Sequence, residues 1–322
     1  MPASRLDLVT IGETMLRLAT PVGTPLERAT QLDVEVAGAE SNVAVAFARL
    51  GYQAGWISRL PANALGRLVV NRVLEHRVDV SRVLWADRTS RLGLYYWEAN
   101  AAPRPGRVIY DRADSAFAHI EADDVDWAYV RSARWLHLTG ITPVLSDSCR
   151  RLVERALDEA RRSGQAVSFD LNYRATLWPA EEAAQSFHEM LEGVHVLFVS
   201  ARDTRTLFGL DSSPEQQATD LAKRFQAEVV AVTLGAQGAV ACENGTVHRI
   251  PAVDSTEIDR LGRGDAFVAG FLHGMEKGGA ERGLRYGAAL AALKQTYRGD
   301  IAWTTAEELE AVVNSNEPQI DR

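Results

Sequence analysis

Short apolar runs alternate with longer amphipathic stretches along most of this chain. Residues 6–11, 55–58, 135–138, 166–169, 196–199 and 229–233 are rich in Val, Ile, Leu or aromatic residues. Each is bounded by glycine or polar residues, the pattern of a buried strand. Between them, 42–50, 65–76, 146–163, 181–192 and 214–225 carry helical periodicity. Ser146 and Pro214 suit helix starts, and Gly51 and Gly164 suit helix ends. This alternation predicts an α/β fold with a mostly parallel sheet covered on both faces.

Two stretches interrupt the pattern. Residues 15–36 have little helical period. Residues 91–112 contain two extended runs, LGLYYWEA and RVIYDR, joined by APRPG. Pro103, Pro105 and Gly106 are turn residues, so a hairpin is expected. Both stretches read as insertions projecting from the sheet and able to cover a site. No repeat or linker divides the chain, so residues 1–322 are expected to form one domain, with a β lid from about 14–37 and 89–113. Only the tail, 314–322, looks frayed.

Of 322 residues, 46% are hydrophobic and 24% charged, which suits a globular chain able to build its own core. Cys149 and Cys242 show no metal or disulfide spacing, so a reducing, cytoplasmic setting is expected. The net charge of -8 and the absence of a Lys/Arg run argue against nucleic acid as a partner. The first strand is expected to start near Leu6, so no signal peptide is expected, and no apolar run approaches membrane-span length.

The chemistry concentrates in DRLGRGDAF, 259–267. Gly262 and Gly264 let the backbone turn tightly before a helix. Unpaired N–H groups at the helix start, where the dipole is positive, make an anion site. Asp265 falls in the first helical turn, where it either caps the helix or accepts a proton from a hydroxyl. Near the other end, VAGAESNVAVA at 36–46 places Gly38 for close backbone approach and Asn42 at a helix start. No G-x-x-x-x-G-K-[ST] occurs, and no G-x-G-x-x-G follows the first strand.

Together, GAESNVAVAFARLG and DRLGRGDAFVAGF resemble the two signatures of the ribokinase (PfkB) sugar-kinase family. The resemblance implies a ribokinase-like three-layer α/β/α sandwich with a small β lid. It also implies ATP and Mg2+ as cofactors. Asp265 would be the general base, and the amides of Gly262, Arg263 and Gly264 the anion hole. Arg263 stands where the family often has alanine, which leaves the direction of its guanidinium open. Ser200, Thr233, Gly235 and Gly238 would border the nucleotide, although VTLGAQGAV reads equally as a hairpin turn. Asp203 would reach the magnesium through water; otherwise Ser200 and Asp203 form a capping box.

Further runs (SRLPANALGR, GLYYWE, VIYDRADSAFA, LHLTGITPVLS and SFDLNYRATLW) resemble 2-keto-3-deoxygluconate kinases of that family. Arginine forks suit carboxylates, and Arg112 and Arg174 fit an acid sugar better than a neutral one. By the resemblance, Gly38 and Ile141 would meet the sugar through backbone. Asn42, Tyr95, Tyr110, Arg112 and Arg174 would hold it, with Asn172 near the transferred phosphate and Asp300 on a hydroxyl. Tyr96 alternates with Tyr95 and should face away. Arg174 could instead pair with Asp170. His137, with no metal-spaced partner, is expected to be a satisfied core histidine. The expected activity is phosphorylation of the 6-hydroxyl of 2-keto-3-deoxygluconate. The alternatives are its galactonate epimer, fructose or another ketose, and a catalytically silent sugar-binding protein. The partners are thus a small acid sugar and ATP, without nucleic acid or membrane, in a homo-oligomer.

Overall fold

The computed structural model describes residues 6–100 and 103–314. Most of the expected frayed tail, 315–322, and Ala102 of the expected hairpin connection lie outside the described residues. The chain begins β1 (Leu8–Ile11), β2 (Met15–Ala19), β3 (Asp33–Ala37), α1 (Ala39–Arg49), β4 (Ala54–Ile57), β5 (Arg59–Pro61), α2 (Ala64–Leu74) and β6 (Leu84–Ala86). It continues β7 (Leu94–Glu98), β8 (Arg107–Asp111), α3 (Trp127–Ser132), β9 (Trp135–Thr139), α4 (Asp147–Ser163), β10 (Ala166–Asp170) and α5 (Ala180–Met190). Then come β11 (Val196–Ser200), α6 (Ala201–Phe208), α7 (Pro214–Phe225), β12 (Val229–Thr233), β13 (Ala239–Glu243), β14 (Thr246–Ile250), α8 (Arg263–Lys294) and α9 (Ala306–Asn314). The long α8 is broken at Gly278 and Gly279, whose backbones are not helical.

The main sheet has the order β14-β13-β12-β11-β10-β9-β1-β4. From β12 to β4 every pairing is parallel, and β13 and β14 add an antiparallel edge. Each strand alternates its side chains between two buried layers, as a two-sided sheet requires. Leu8, Trp56, Trp135 and Phe198 pack with residues of α1, α2, α8 and α9. Val9, Ile11, Leu136, Leu138 and Phe169 pack with residues of α4, α5 and α7. The three-layer α/β/α arrangement expected from the alternation is therefore present.

A separate four-stranded sheet, in the order β3-β2-β7-β8, forms the lid. β7 and β8 are the expected hairpin, with Tyr95 opposite Tyr110 and Trp97 opposite Val108. The stretch without helical period, 15–36, supplies the other two strands, β2 and β3.

The helix bounds differ from expectation most at α1. α1 starts at Ala39, with Gly38 as N-cap, so Asn42 lies in its first turn and donates its amide to Gly38 O at 2.7 Å. Glu40 and Ser41 are polar yet buried, so the apolar pattern does not register this turn. Among the described residues, no helix is long and apolar enough to cross a membrane. Cys149 and Cys242 are free and buried.

Candidate active site

The parallel strands all end on one side of the sheet, and the expected residues follow those ends. Ile141 follows β9, Asn172 and Arg174 follow β10, Ser200 ends β11 and Thr233 ends β12. Loops beyond the carboxyl ends of such strands are where open α/β sheets bind ligands. The inner face of the lid, with Tyr95, Trp97 and Tyr110, lies over them. Between lid and sheet is a cavity of about 490 Å3 that holds Gly38, Asn42, Arg112, Gly262, Asp265 and Asp300 as well. A second cavity of about 860 Å3 opens beside it, bordered by Gly235, Gly238 and Arg263. Ser200, Thr233, Arg260, Gly264 and Phe267 line both, so the two meet where α8 begins.

At that junction Asp265 sits in the first turn of α8. Burial raises its carboxyl to about 6, against a hydrogen bond from Asn42 that favours the ionised form. That bond runs from Asn42 Nδ2 to Asp265 Oδ2 at 2.6 Å. Asn42 Oδ1 is buried with no donor among the described residues, an acceptor that a ligand hydroxyl can fill. Gly262 is the N-cap, in the left-handed region with φ 77°, and a Cβ there would stand 1.9 Å from Asp300 O. Only glycine fits such a position. At Gly38 the backbone is extended, but a Cβ would stand 2.3 Å from Glu13 O, so close approach excludes a side chain.

Several expectations change. The Arg263 N–H, expected to be free for an anion, instead donates to Arg260 O at 3.3 Å. The amides of Gly262, Gly264 and Asp265 have no partner among the described residues. The Arg263 guanidinium lies along the larger cavity, with Nη1 donating to Gln295 Oε1 at 3.2 Å. Tyr95 is not a free donor: its buried hydroxyl has one proton, and it goes to the Asp300 carboxylate at 2.9–3.0 Å. Asp300 is correspondingly committed, also accepting from Arg17 Nη1 at 2.6 Å. Ile141 lines the smaller cavity, but its N–H is spent on Thr139 Oγ1 at 3.3 Å. It offers its side chain rather than that backbone donor.

Arg112 donates Nε at 2.9 Å and Nη2 to Glu13 Oε2, and its Nη1 has no partner among the described residues. Arg174 makes no ion pair among the described residues, to Asp170 or otherwise. Tyr110 is 42% exposed at the rim, whereas Tyr96 is absent from the cavity wall. Asn172 has a positive φ of 39° and donates its N–H to Asp170 Oδ1 at 3.1 Å. Ser200 caps α6 by accepting from the Asp203 N–H at 3.0 Å, so the capping geometry is real, and Asp203 lines the smaller cavity too. Gly235 and Gly238 likewise combine both readings, turning the β12–β13 hairpin while bordering the larger cavity. His137 is a core histidine, as expected, but only half satisfied. Nδ1 pairs with Ser168 at 2.9 Å and Nε2 has no partner among the described residues, and burial lowers its pKa to about 3.

The sequence reading missed three charged groups of this site. Asp170 lines the smaller cavity, raised to about 7 first by burial and then by Asp265. Arg260 lines both cavities and makes no ion pair among the described residues. Both lie inside the motifs of the site, Asp170 opening DLNYR and Arg260 second in DRLGRGDAF. Glu13, which holds Arg112 and accepts from Ser115 Oγ, carries no local signal.

The description "pfkB family carbohydrate kinase" matches residues 5–307. The chain is 43% identical over 317 residues to a 2-dehydro-3-deoxygalactonokinase of Haloferax volcanii, covering 98% of this chain and 99% of the relative. It is 34% identical over 303 residues to a 2-dehydro-3-deoxygluconokinase of Thermoproteus tenax, covering 92% and 90%. The crystal structure of a 2-dehydro-3-deoxygluconokinase from Thermotoga maritima superposes with a TM-score of 0.91, at 31% identity, over 96% of this chain and 100% of that one. Motifs, fold and similarity over nearly the whole length agree: this protein belongs to the pfkB family of carbohydrate kinases.

Proposed function

We propose that the protein transfers the terminal phosphoryl group of ATP to the 6-hydroxyl of 2-keto-3-deoxygluconate. The observation that carries this reading is the pairing, in one cavity, of the Asp265–Asn42 couple with two arginines, Arg112 and Arg174. Arg174, like Arg260, makes no ion pair among the described residues, which suits a sugar bearing its own carboxylate. Asp265 takes the proton of the hydroxyl as its oxygen bonds to phosphorus and the bond from phosphorus to the departing ADP breaks. The free amides of Gly262, Gly264 and Asp265, at the positive end of α8, hold the charge on the phosphoryl group. The nucleotide occupies the larger cavity, against Ser200, Thr233, Gly235 and Gly238.

No group of three His, Cys, Asp or Glu able to hold a metal ion occurs among the described residues. That suits magnesium, which is commonly carried on nucleotide phosphates and water with one or two carboxylates, here Asp170 and Asp203. When bound, it would neutralise phosphate charge. The lid over the cavity keeps water from competing with the sugar.

The 43% identity to a relative named a galactonokinase favours the galactonate epimer as a second reading. ADP release measured with 2-keto-3-deoxygluconate, 2-keto-3-deoxygalactonate, fructose and no sugar separates the cases. Turnover of fructose alone, or of nothing, would sink the acid-sugar reading; the last result would favour a silent sugar-binding protein.

Two variants test the roles. Arg174→Ala is expected to raise KM for the acid sugar about 10- to 100-fold with a smaller change in kcat, the worth of one charged hydrogen-bonding partner. An unchanged KM would contradict that role. Asn42→Ala removes the hydrogen bond that favours ionised Asp265. The carboxyl, at about 6 in the native protein, then moves upward. Activity needs the ionised form, so the acid limb of kcat/KM shifts to higher pH and the loss is greater at about pH 6 than at about pH 8. A uniform loss at all pH values would speak against this coupling.

A further inference from the structure

Arg17 belongs to the lid, on β2, yet it is only 2% exposed and reaches two carboxylates far along the chain. Nη1 donates to Asp300 Oδ1 at 2.6 Å and Nη2 to Asp259 Oδ2 at 2.5 Å. Both acids serve the turn that opens α8. Asp259 is its root. Oδ1 accepts from the Leu261 N–H and Oδ2 from the Gly299 N–H, each at 3.1 Å. Its carbonyl accepts from Nζ of the fully buried Lys294 at 3.0 Å. Asp300 is its wall, with a carbonyl so close to Gly262 that no side chain fits between them. A second lid strand joins through the Tyr95 hydroxyl on Asp300. The Arg17 guanidinium and the Tyr95 hydroxyl, meeting on Asp300, thus tie β2 and β7 to the turn carrying Gly262, Gly264 and Asp265.

Stability is a poor explanation for this arrangement. Desolvating charges costs about as much as their attraction returns, and an apolar cluster of equal volume often serves a core as well. What a planar guanidinium supplies is geometry: its fork fixes two carboxylates relative to each other, which a lysine point charge cannot do.

We infer that Arg17 is a positioning residue for phosphoryl transfer, holding the phosphate-binding turn and the lid over the sugar in one relative placement through Asp259 and Asp300. This rests on the kinase reading above. Misplacement by about 1 Å at a reacting centre can lower a rate about 100-fold. Arg17 touches neither the reacting atoms nor Asp265, so its removal should act on kcat rather than on substrate affinity.

The test uses the full chain with ATP, magnesium and whichever sugar acid the native protein turns over. Arg17→Met is expected to lower kcat about 100-fold with KM values changed less than about threefold. Millimolar guanidinium chloride should restore part of that loss and leave the native protein unaffected. ATP hydrolysis should become a larger fraction of total turnover, because lid and turn no longer align the sugar. Arg17→Lys keeps the charge and guards against simple misfolding. It should melt close to the native protein yet lose about tenfold in kcat, since a point charge cannot bridge both acids. Native kcat in both variants would overturn the inference. So would a loss in Arg17→Met that follows only the unfolded fraction, with Arg17→Lys fully active. If the native protein itself releases no ADP with any sugar, the kinase reading fails first and this inference falls with it. If the native protein is active and the variants match it, this inference alone is lost.

Discussion

Asp265→Asn is expected to lower kcat about 10²- to 10⁴-fold while the acid sugar still binds. Asparagine keeps the shape, and its Oδ1 can still accept from Asn42, so the cavity should be unchanged. What is lost is the acceptor of the hydroxyl proton. The same variant should be more stable than the native protein above about pH 6. The native carboxyl is raised in the folded state to about 6 from a reference of 3.8, chiefly by burial. The folded state therefore binds that proton more tightly than the unfolded chain, and stability falls as pH rises from the unfolded value through the folded one. The uncharged amide of the variant escapes this penalty, so its melting advantage should be present at about pH 8 and vanish near pH 3, where both side chains are neutral. Glu40 and Asp170, each raised to about 7 first by burial, crowd the same region and would lose a like-charged neighbour. Near-native turnover would remove Asp265 from the role of base. An unchanged melting temperature at high pH would mean that its ionised form carries no strain.

Gly262→Ala should be nearly as damaging, through the backbone. At φ 77° an alanine costs about 1–2 kcal/mol in conformation alone. Its Cβ would also stand 1.9 Å from the Asp300 carbonyl, a main-chain atom that cannot swing aside. The turn or the 298–300 loop must move, carrying with it the amides at the start of α8 and the carboxylate held by Arg17 and Tyr95. Losing one well-placed anion donor costs about 100- to 1000-fold in kcat, and at least the lower end of that range is expected here. Gly264→Ala is the control. Nothing lies within 4 Å of its Cβ position and its φ is ordinary, so the fold should keep its stability or gain. Equal stability and equal kcat in the Gly262 and Gly264 variants would sink the argument from close approach.

Much of the fold is legible along the chain because its signals are local. Strand 229–233 and helix 214–225 match the apolar pattern end to end. Ser146 and Gly164 mark the ends of α4 as cap and left-handed stop. The first turn of α1 escaped because Glu40 and Ser41 are polar residues in buried positions. Glu40 is satisfied there by the Thr139 and Thr142 hydroxyls, about a hundred residues away in sequence. Such a partner leaves no trace in a hydrophobic period.

The same division holds within the site. By itself, the sequence determined which residue types are present: the DRLGRGDAF turn with Asp265, the GAESNVA helix start, Arg112 in VIYDR and Arg174 in DLNYR. These are short runs whose backbone preferences and side chains are fixed by neighbours in the chain. Only the tertiary structure decided which polar groups are free. It committed the Tyr95 hydroxyl and Asp300 to each other, Arg112 to Glu13, and Arg17 to two acids 242 and 283 positions away. It left Arg174 and Arg260 without an ion pair among the described residues. A buried charge must find a partner wherever the fold brings one, and that choice depends on packing between distant segments rather than on local propensity.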